Sequence, residues 1–419
     1  MTKTRQMIAL PLGQKVPQRS GPSAAEIEPA PVGTPRSPEA VGEVRDSGLL
    51  ARVLRWRDAL LANPAVQNLT VALPFLRPVA NRRARQLFDL CIGFVHTQVI
   101  TACVAVDLFE KLATEPLSPA RLAAETGLDV DAATRLLRAA AAIKLVRCQR
   151  DGRYRLGELG AAFRGAPGLT EIVRHNQIFY RDFRDPEALL RGTMGPTELS
   201  QFWPYAEGAQ GVRSLTREEI EPYTRFMAAT QPFIADDVLA AHDFRRYRAL
   251  LDVGGGNGAF ASAVARANSS LRVGVFDLPA VVEAAQETFS RQQLAERASV
   301  HGGDFHRDPM PQGYDAISFV RVLLDHDDDR VVALLGRARA ALPAGGTVLV
   351  AELMSEAAGA ETISDAYFAF YLLAMGRGRP RSVARISKLL EAAGFVSVAP
   401  VKTRRMLMTQ LIVGSVPKG

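Results

Sequence analysis

Leu251-Asp-Val-Gly-Gly-Gly-Asn-Gly258 lies between a short apolar run, Ala249 to Val253, and a helical stretch, Ala259 to Ala267. Glycines in this turn let the backbone bend sharply and let a ligand rest against it without meeting a Cβ. Further strand-like segments recur at Arg272 to Phe276, Ala298 to His301, Asp315 to Val320 and Gly346 to Glu352, each separated by a helical stretch. Strands alternating with helices predict a parallel sheet covered on both faces, hence an α/β domain over residues 245–419. Phe395 to Val401 and Met406 to Val413, joined by a basic turn, predict a terminal antiparallel hairpin.

A glycine run alone is a weak signal, because nucleotide and dinucleotide sites also use one. The next acidic residue at a strand end is Asp277, in Phe276-Asp277-Leu278-Pro279. It follows the loop by about 20 residues, the separation that brings a carboxylate to the ribose hydroxyls of a ligand lying over the turn. Gly303-Asp304-Phe305, after the third strand, offers a carboxylate and an aromatic ring for an adenine. Ala259 stands where a dinucleotide pattern usually has its last glycine, which tilts the reading from NAD toward an adenosyl sulfonium. A glycine turn that binds nothing is the plain alternative.

Upstream, residues 1–47 are rich in Pro, Ala, Gly, Ser and Glu with almost no aromatics, and predict a disordered tail. Residues 48–244 read as mainly helical. Between Gly48 and Phe88, Leu49, Leu50, Val53, Leu54 and Leu60 recur beside Arg52, Arg55, Trp56 and Arg57, and Arg77, Arg82, Arg83 and Arg85 follow. This is either an amphipathic helix pair packing on a partner or a basic amphipathic surface for an anionic membrane. Ser118-Pro119 starts a helix that Gly127 closes, Asp129 caps a second one, and Cys148 to Leu156 alternates around Asp151-Gly152 as a hairpin. Helix, helix, hairpin is a winged-helix pattern, here over about 98–165. A DNA-binding regulator is one consequence. The second helix, however, has Arg135 and Arg138 set among alanines and leucines, which favours burial and a dimerisation role with no nucleic-acid partner.

The net charge of +7 is spread over 419 residues and suits either a solvated surface or a basic patch. Cys91, Cys103 and Cys148 lack metal-site or disulfide spacing and read as buried thiols of a reducing compartment. No apolar leader is seen and no uninterrupted apolar run is read as long enough to span a bilayer, so the expectation is a cytoplasmic protein.

These motifs together resemble the caffeic-acid-type small-molecule O-methyltransferases, from about Phe88 onward. The residues behind the likeness are Leu251 to Gly258, Phe276-Asp-Leu-Pro279, Gly303-Asp-Phe305 and Leu342-Pro-Ala-Gly-Gly-Thr-Val-Leu-Val-Ala-Glu352. The resemblance implies a Rossmann-like class I methyltransferase domain preceded by a helical dimerisation domain, a homodimer, S-adenosylmethionine as cofactor and an apolar hydroxylated small molecule as acceptor. Within that family the chain looks nearest to the carotenoid O-methyltransferases of purple photosynthetic bacteria, of hydroxyneurosporene or demethylspheroidene type. That likeness rests on Phe202-Trp-Pro-Tyr205, Arg321-Val-Leu-Leu-Asp-His-Asp-Asp328 and the run from Asp365 to Ser382. The implied acceptor is the tertiary hydroxyl of an acyclic carotenoid. A polyketide or phenol acceptor, and a relative that binds the cofactor without transferring its methyl, are the alternatives.

Carried onto this sequence, the resemblance places the cofactor against Asp252, Gly254, Gly256, Asp277, Leu278, Asp304 and Phe305, with Arg321 near its methionine end. Plant relatives use a His base after the fourth strand, supported by a later Glu. Here those positions hold Asp325, with His326 one residue on, and Pro380. With an unperturbed pKa close to operating pH, His326 is the favoured proton acceptor, oriented by Asp325 or replaced by it. The plain alternative is that Asp325, Asp327 and Asp328 start a helix. His175 and Tyr180 are weaker candidates for contacting the acceptor hydroxyl.

Overall fold

A computed structural model describes residues 48–202, 217–356, 359–404 and 409–419. The tail expected over 1–47, Trp203, Tyr205 and the first half of the last expected strand lie outside the described residues.

The sheet of the C-terminal half forms as its sequence pattern requires. The strands are β3 (Ala249–Val253), β4 (Arg272–Asp277), β5 (Ala298–Gly302), β6 (Ala316–Val320), β7 (Thr347–Glu352), β8 (Val396–Val401) and β9 (Gln410–Ser415); β1 (Val146–Cys148) and β2 (Tyr154–Leu156) form the upstream hairpin. Order across the sheet is β5-β4-β3-β6-β7-β9-β8, with β5 to β7 parallel and β9 antiparallel to both its neighbours. The terminal pair is therefore woven into the sheet, and its last strand begins at Gln410, later than the sequence pattern suggests.

Both faces of the central strands are covered. Leu251 and Val253 of β3, Ile317 and Phe319 of β6 and Val348 and Val350 of β7 enter one core, while Leu250, Ala316, Val320, Leu349 and Ala351 enter the other. This period-two partition explains why the strands read as solid apolar runs. The strand order reverses direction between β3 and β6, and in such sheets the crevice at the carboxyl ends of those strands is where ligands bind.

Two units divide the chain at Phe88 and Asp89. In the larger one, Ser118 caps the helix Pro119–Thr126 by accepting from the Arg121 amide at 3.2 Å. Asp129 likewise caps Val130–Ala142 by accepting from the Ala132 amide at 2.7 Å. That second helix buries Ala133, Leu137 and Ala140 against Leu108, Leu122 and Tyr154, and pairs Arg135 with Asp131 at 2.6 Å. The cysteine expectation holds for Cys103, whose thiol burial pushes up to about 12, but Cys91 and Cys148 are exposed.

The smaller unit carries the helices Leu49–Ala62 and Pro64–Ala72 and the start of Arg77–Ala105. Its Leu49, Leu50, Val53, Trp56, Phe75 and Leu87 are exposed. No uninterrupted apolar run of spanning length is expected from the sequence, yet the helix Arg77–Ala105 as a whole is long and apolar enough to cross a membrane by length and composition, with a mean hydropathy of 1.6 in its most apolar window. Asp89, His96, Thr97 and Gln98 break up its apolar run.

Two glycines should respond to alanine in opposite directions. Gly258 has φ +74°, and a Cβ there would meet the Phe289 ring at 2.9 Å. We expect Gly258→Ala to cost about 1–2 kcal/mol or more. Gly336 lies within the helix Asp328–Ala341 with open space at its Cβ position, so Gly336→Ala should stabilise by up to about 1 kcal/mol. Urea unfolding of both variants checks the contrast.

Candidate active site

The turn after β3 is set by backbone geometry. Gly254, Gly256 and Gly258 have φ of +69°, +58° and +74°. A Cβ on Gly254 would also strike Val322 at 2.8 Å. Asp277, at the end of β4, accepts from the Gly256 amide at 2.9 Å through one carboxylate oxygen and from the Leu278 amide at 2.8 Å through the other. Gly254 donates to the Phe276 carbonyl at 2.8 Å, so the two strand ends are joined.

Over this turn opens a cleft of about 910 Å³ when the open solvent space at its mouth is included. Of the residues named from sequence, Asp252, Gly254, Gly256, Asp277, Phe305, Arg321, Asp325 and His326 line it. The other four are not brought to the wall. Leu278 is buried, and its amide is held by Asp277. Asp304 turns its carboxylate to the His306 amide at 2.9 Å and toward Arg307. His175 is buried, hydrogen-bonded through Nε2 to the Tyr371 hydroxyl at 2.7 Å and stacked on Phe226, and burial lowers its imidazole to about 4. Tyr180 is half-buried on the same helix, Pro167–Asp182.

Arg321 ends β6 in a left-handed conformation with φ +57°, a strain of the kind found where a site dictates the backbone. Its guanidinium donates to Thr230 Oγ1 at 2.6 Å and to the Met227 carbonyl at 2.8 Å, which ties the helix Arg217–Ala241 to the sheet end. Met227, Ala228 and Gln231 of that helix then form part of the cleft wall.

Burial reorders the ionisable groups. Asp252 receives the Ser318 hydroxyl at 2.7 Å on one oxygen, and its other oxygen is buried without a partner among the described residues. Its carboxyl is pushed up to about 7 by burial, with Asp277 adding to the rise. Asp325 rises to about 8, from burial and then from the charge of Glu352, against the pull of Arg321 and Arg381. His326 falls to about 3, from burial and then from His306, Arg330, Arg381 and Arg377. The imidazole that looks best matched to neutral pH in the sequence is thus a weak base here, and the neighbouring carboxyl has the higher proton affinity.

Three residues of this region have no site role in the sequence reading. Glu352 ends the solid apolar strand β7, is buried, and accepts from the Leu324 amide at 3.1 Å. A charge at the end of such a strand is the signal that could reveal it. Arg377 lines the cleft and Arg381 is buried behind it. In the run Arg377-Gly-Arg-Pro-Arg381 the three arginines look alike, so nothing separates them by sequence.

The site fits an adenosyl sulfonium. Asp277 and the positive-φ glycines form a cradle for a ribose, Phe305 supplies a ring beside it, and the unpartnered oxygen of Asp252 is suited to a cationic or amine donor. The Asp277 carboxyl and the raised carboxyls of Asp252 and Asp325 all face the cleft as hydrogen-bond partners for a polar ligand.

Known proteins agree with this architecture. Residues 192–396 match the O-methyltransferase domain family, and residues 88–164 match the O-methyltransferase dimerisation domain. The chain is 46% identical to demethylspheroidene O-methyltransferase of Cereibacter sphaeroides over 78% of its own length and 85% of the relative's. It is 37% identical to the enzyme of that name from Rhodobacter capsulatus, over 93% and 97%. The solved structure of human N-acetylserotonin methyltransferase in complex with S-adenosylmethionine superposes with a TM-score of 0.69 at 25% identity, covering 80% of this chain and 98% of that one. With its dimerisation domain followed by a class I methyltransferase domain, the chain belongs to the S-adenosylmethionine-dependent O-methyltransferase family.

Proposed function

We propose that the chain methylates the tertiary hydroxyl of an acyclic carotenoid. The observation that carries this reading is the 46% identity to an enzyme named for demethylspheroidene, extending over most of both chains. Apolar side chains of Met227, Val320, Val322 and Met375 in the cleft lining suit a hydrocarbon acceptor.

S-adenosylmethionine, when bound, supplies a methyl group already activated on a sulfonium. The chain's part is to hold the cofactor by Asp277, Gly254, Gly256, Phe305 and Asp252, to align the hydroxyl oxygen, and to receive its proton. A tertiary alcohol is too weak an acid to ionise beforehand, so the proton leaves with or after methyl transfer. Asp325 receives it at its carboxylate, and the neutral imidazole of His326 orients the hydroxyl. Asp304 and Leu278 support this arrangement by shaping the two loops. His175 and Tyr180 act from the aromatic cluster around Tyr371 and Tyr367, which flanks Met375 and gives the acceptor chain an apolar surround.

The acceptor dissolves in lipid, and the segment before Asp89 has the character of a membrane dock. Within residues 48–88, Arg52, Arg55, Arg57, Arg77, Arg82, Arg83 and Arg85 are opposed by Asp58 alone. Exposed Leu49, Leu50, Trp56 and Phe75 accompany them. Charge complementarity selects an anionic bilayer, met from the cytoplasmic side by a peripheral protein.

Labelled cofactor with a 1-hydroxy acyclic carotenoid in detergent should yield a labelled methyl ether, and phenolic or polyketide acceptors little; product from those acceptors alone would overturn the reading. Asp277→Ala removes an acceptor for two backbone amides and a ribose ligand. At about 1.5–3 kcal/mol, cofactor affinity should weaken roughly 10- to 100-fold by calorimetry. Because the base form of Asp325 exists above its pKa of about 8, kcat/KM should fall as pH drops through that value and level off above it. Asp325→Asn should lower kcat by about 100-fold or more. Deleting residues 48–85 should weaken binding to phosphatidylglycerol-containing vesicles and leave cofactor affinity intact; unchanged vesicle binding would reject the dock.

A further inference from the structure

The acid–base pair stands on a single turn of 3-10 helix, Leu323–Asp325, continued by His326. Such a short element has few hydrogen bonds of its own, so something else must fix its shape. Arg381 lies behind it with its side chain 1% exposed. Its Nη1 donates to the Leu323 carbonyl at 2.8 Å, its Nη2 donates to the His326 carbonyl, and its Nε donates to the Asp328 carboxylate at 2.6 Å. The three nitrogens thus grip both ends of the turn. Asp328 is held in addition by Arg385 at 2.9 Å.

The segment bearing Arg381 is itself fastened. The Arg379 amide donates to the Leu324 carbonyl at 3.1 Å, and the Ser355 amide donates to the Arg381 carbonyl at 2.9 Å. Gly378, at φ +71°, approaches so closely that a Cβ would lie 2.1 Å from the Leu324 carbonyl oxygen. From the other side the Glu352 carboxylate receives the Leu324 amide. A planar guanidinium with donors in a fixed fork suits this task, and a lysine ammonium cannot reach three acceptors at once in the same way.

We propose that Arg381 is a positioning residue of the methyl transfer, clamping the Leu323–His326 turn so that Asp325 and His326 face the acceptor hydroxyl. The proposal rests on the assignment of Asp325 as proton acceptor. Arg381 also acts on Asp325 through its charge. The groups around that carboxyl are Glu352 from the end of β7, Arg321 just after β6, Arg381 behind the turn, and the adjacent His326, on which Arg377 acts in turn. Arg381 favours the ionised form, so its removal raises the proton affinity of Asp325.

Geometry and charge separate in two variants. In Arg381→Gln, kcat should fall about 100-fold, and the pH limb of kcat/KM should move upward by about one unit. Affinity for S-adenosylhomocysteine, read by calorimetry, should change less than about threefold. Arg381→Lys should return the limb to its original pH while kcat stays reduced by about tenfold. Asp325→Asn is run beside them. An inactive Asp325→Asn with Arg381→Gln unchanged in kcat and limb would overturn the clamp. An active Asp325→Asn would instead overturn the acid–base assignment beneath it. If Arg381→Gln does not fold, Arg381→Lys decides alone, since an undiminished kcat there contradicts the proposal.

Discussion

One carboxylate organises this molecule's working end. Asp277 closes β4 and reaches across to the turn after β3, holding the Gly256 amide with one oxygen and the Leu278 amide with the other. The glycine turn has three residues in the left-handed region, which glycine enters without strain but at a cost in chain entropy, so a partner that pins the turn helps to fix one shape. Because the strand order reverses between the paired strands β3 and β6, the pinned turn overhangs a crevice rather than a packed surface. Phe305, Arg321, Asp325 and His326 border that crevice from the ends of the neighbouring strands.

The proposed chemistry follows from how the crevice encloses its ionisable groups. In water a carboxyl is the acid and an imidazole the base near neutrality. Burial disfavours whichever form is charged, so Asp325 gains proton affinity and His326 loses it until their order is inverted. A second buried carboxyl, Glu352, extends the effect on Asp325, while Arg321 and Arg381 restrain it. At the position where plant relatives carry a histidine base, this chain holds a carboxyl whose proton affinity has moved into the histidine range, which is what lets the proposed mechanism give Asp325 the proton.

What could be read from the sequence was whatever local rules control. Ser118, Gly127 and Asp129 declared the helix ends, and the strands announced themselves as apolar runs because both their faces are covered. The glycine turn and Asp277 were legible since their spacing is a geometric requirement. Hidden features depended on contacts between distant segments. Glu352 and Arg381 meet the same turn from residues 28 and 58 positions away. The fate of His326 was equally invisible, because a pKa is set by enclosure and neighbouring charge. His175 looked free to meet an acceptor, yet its ring is committed to Tyr371 and Phe226.

The most direct test of the account is a crystal structure of the protein with S-adenosylhomocysteine and a hydroxylated acyclic carotenoid. The account predicts ribose hydroxyls within hydrogen-bond distance of the Asp277 carboxylate, the cofactor sulfur facing the acceptor oxygen, and that oxygen within reach of Asp325. A ribose bound away from Asp277, or an acceptor oxygen beyond the reach of Asp325, would contradict it.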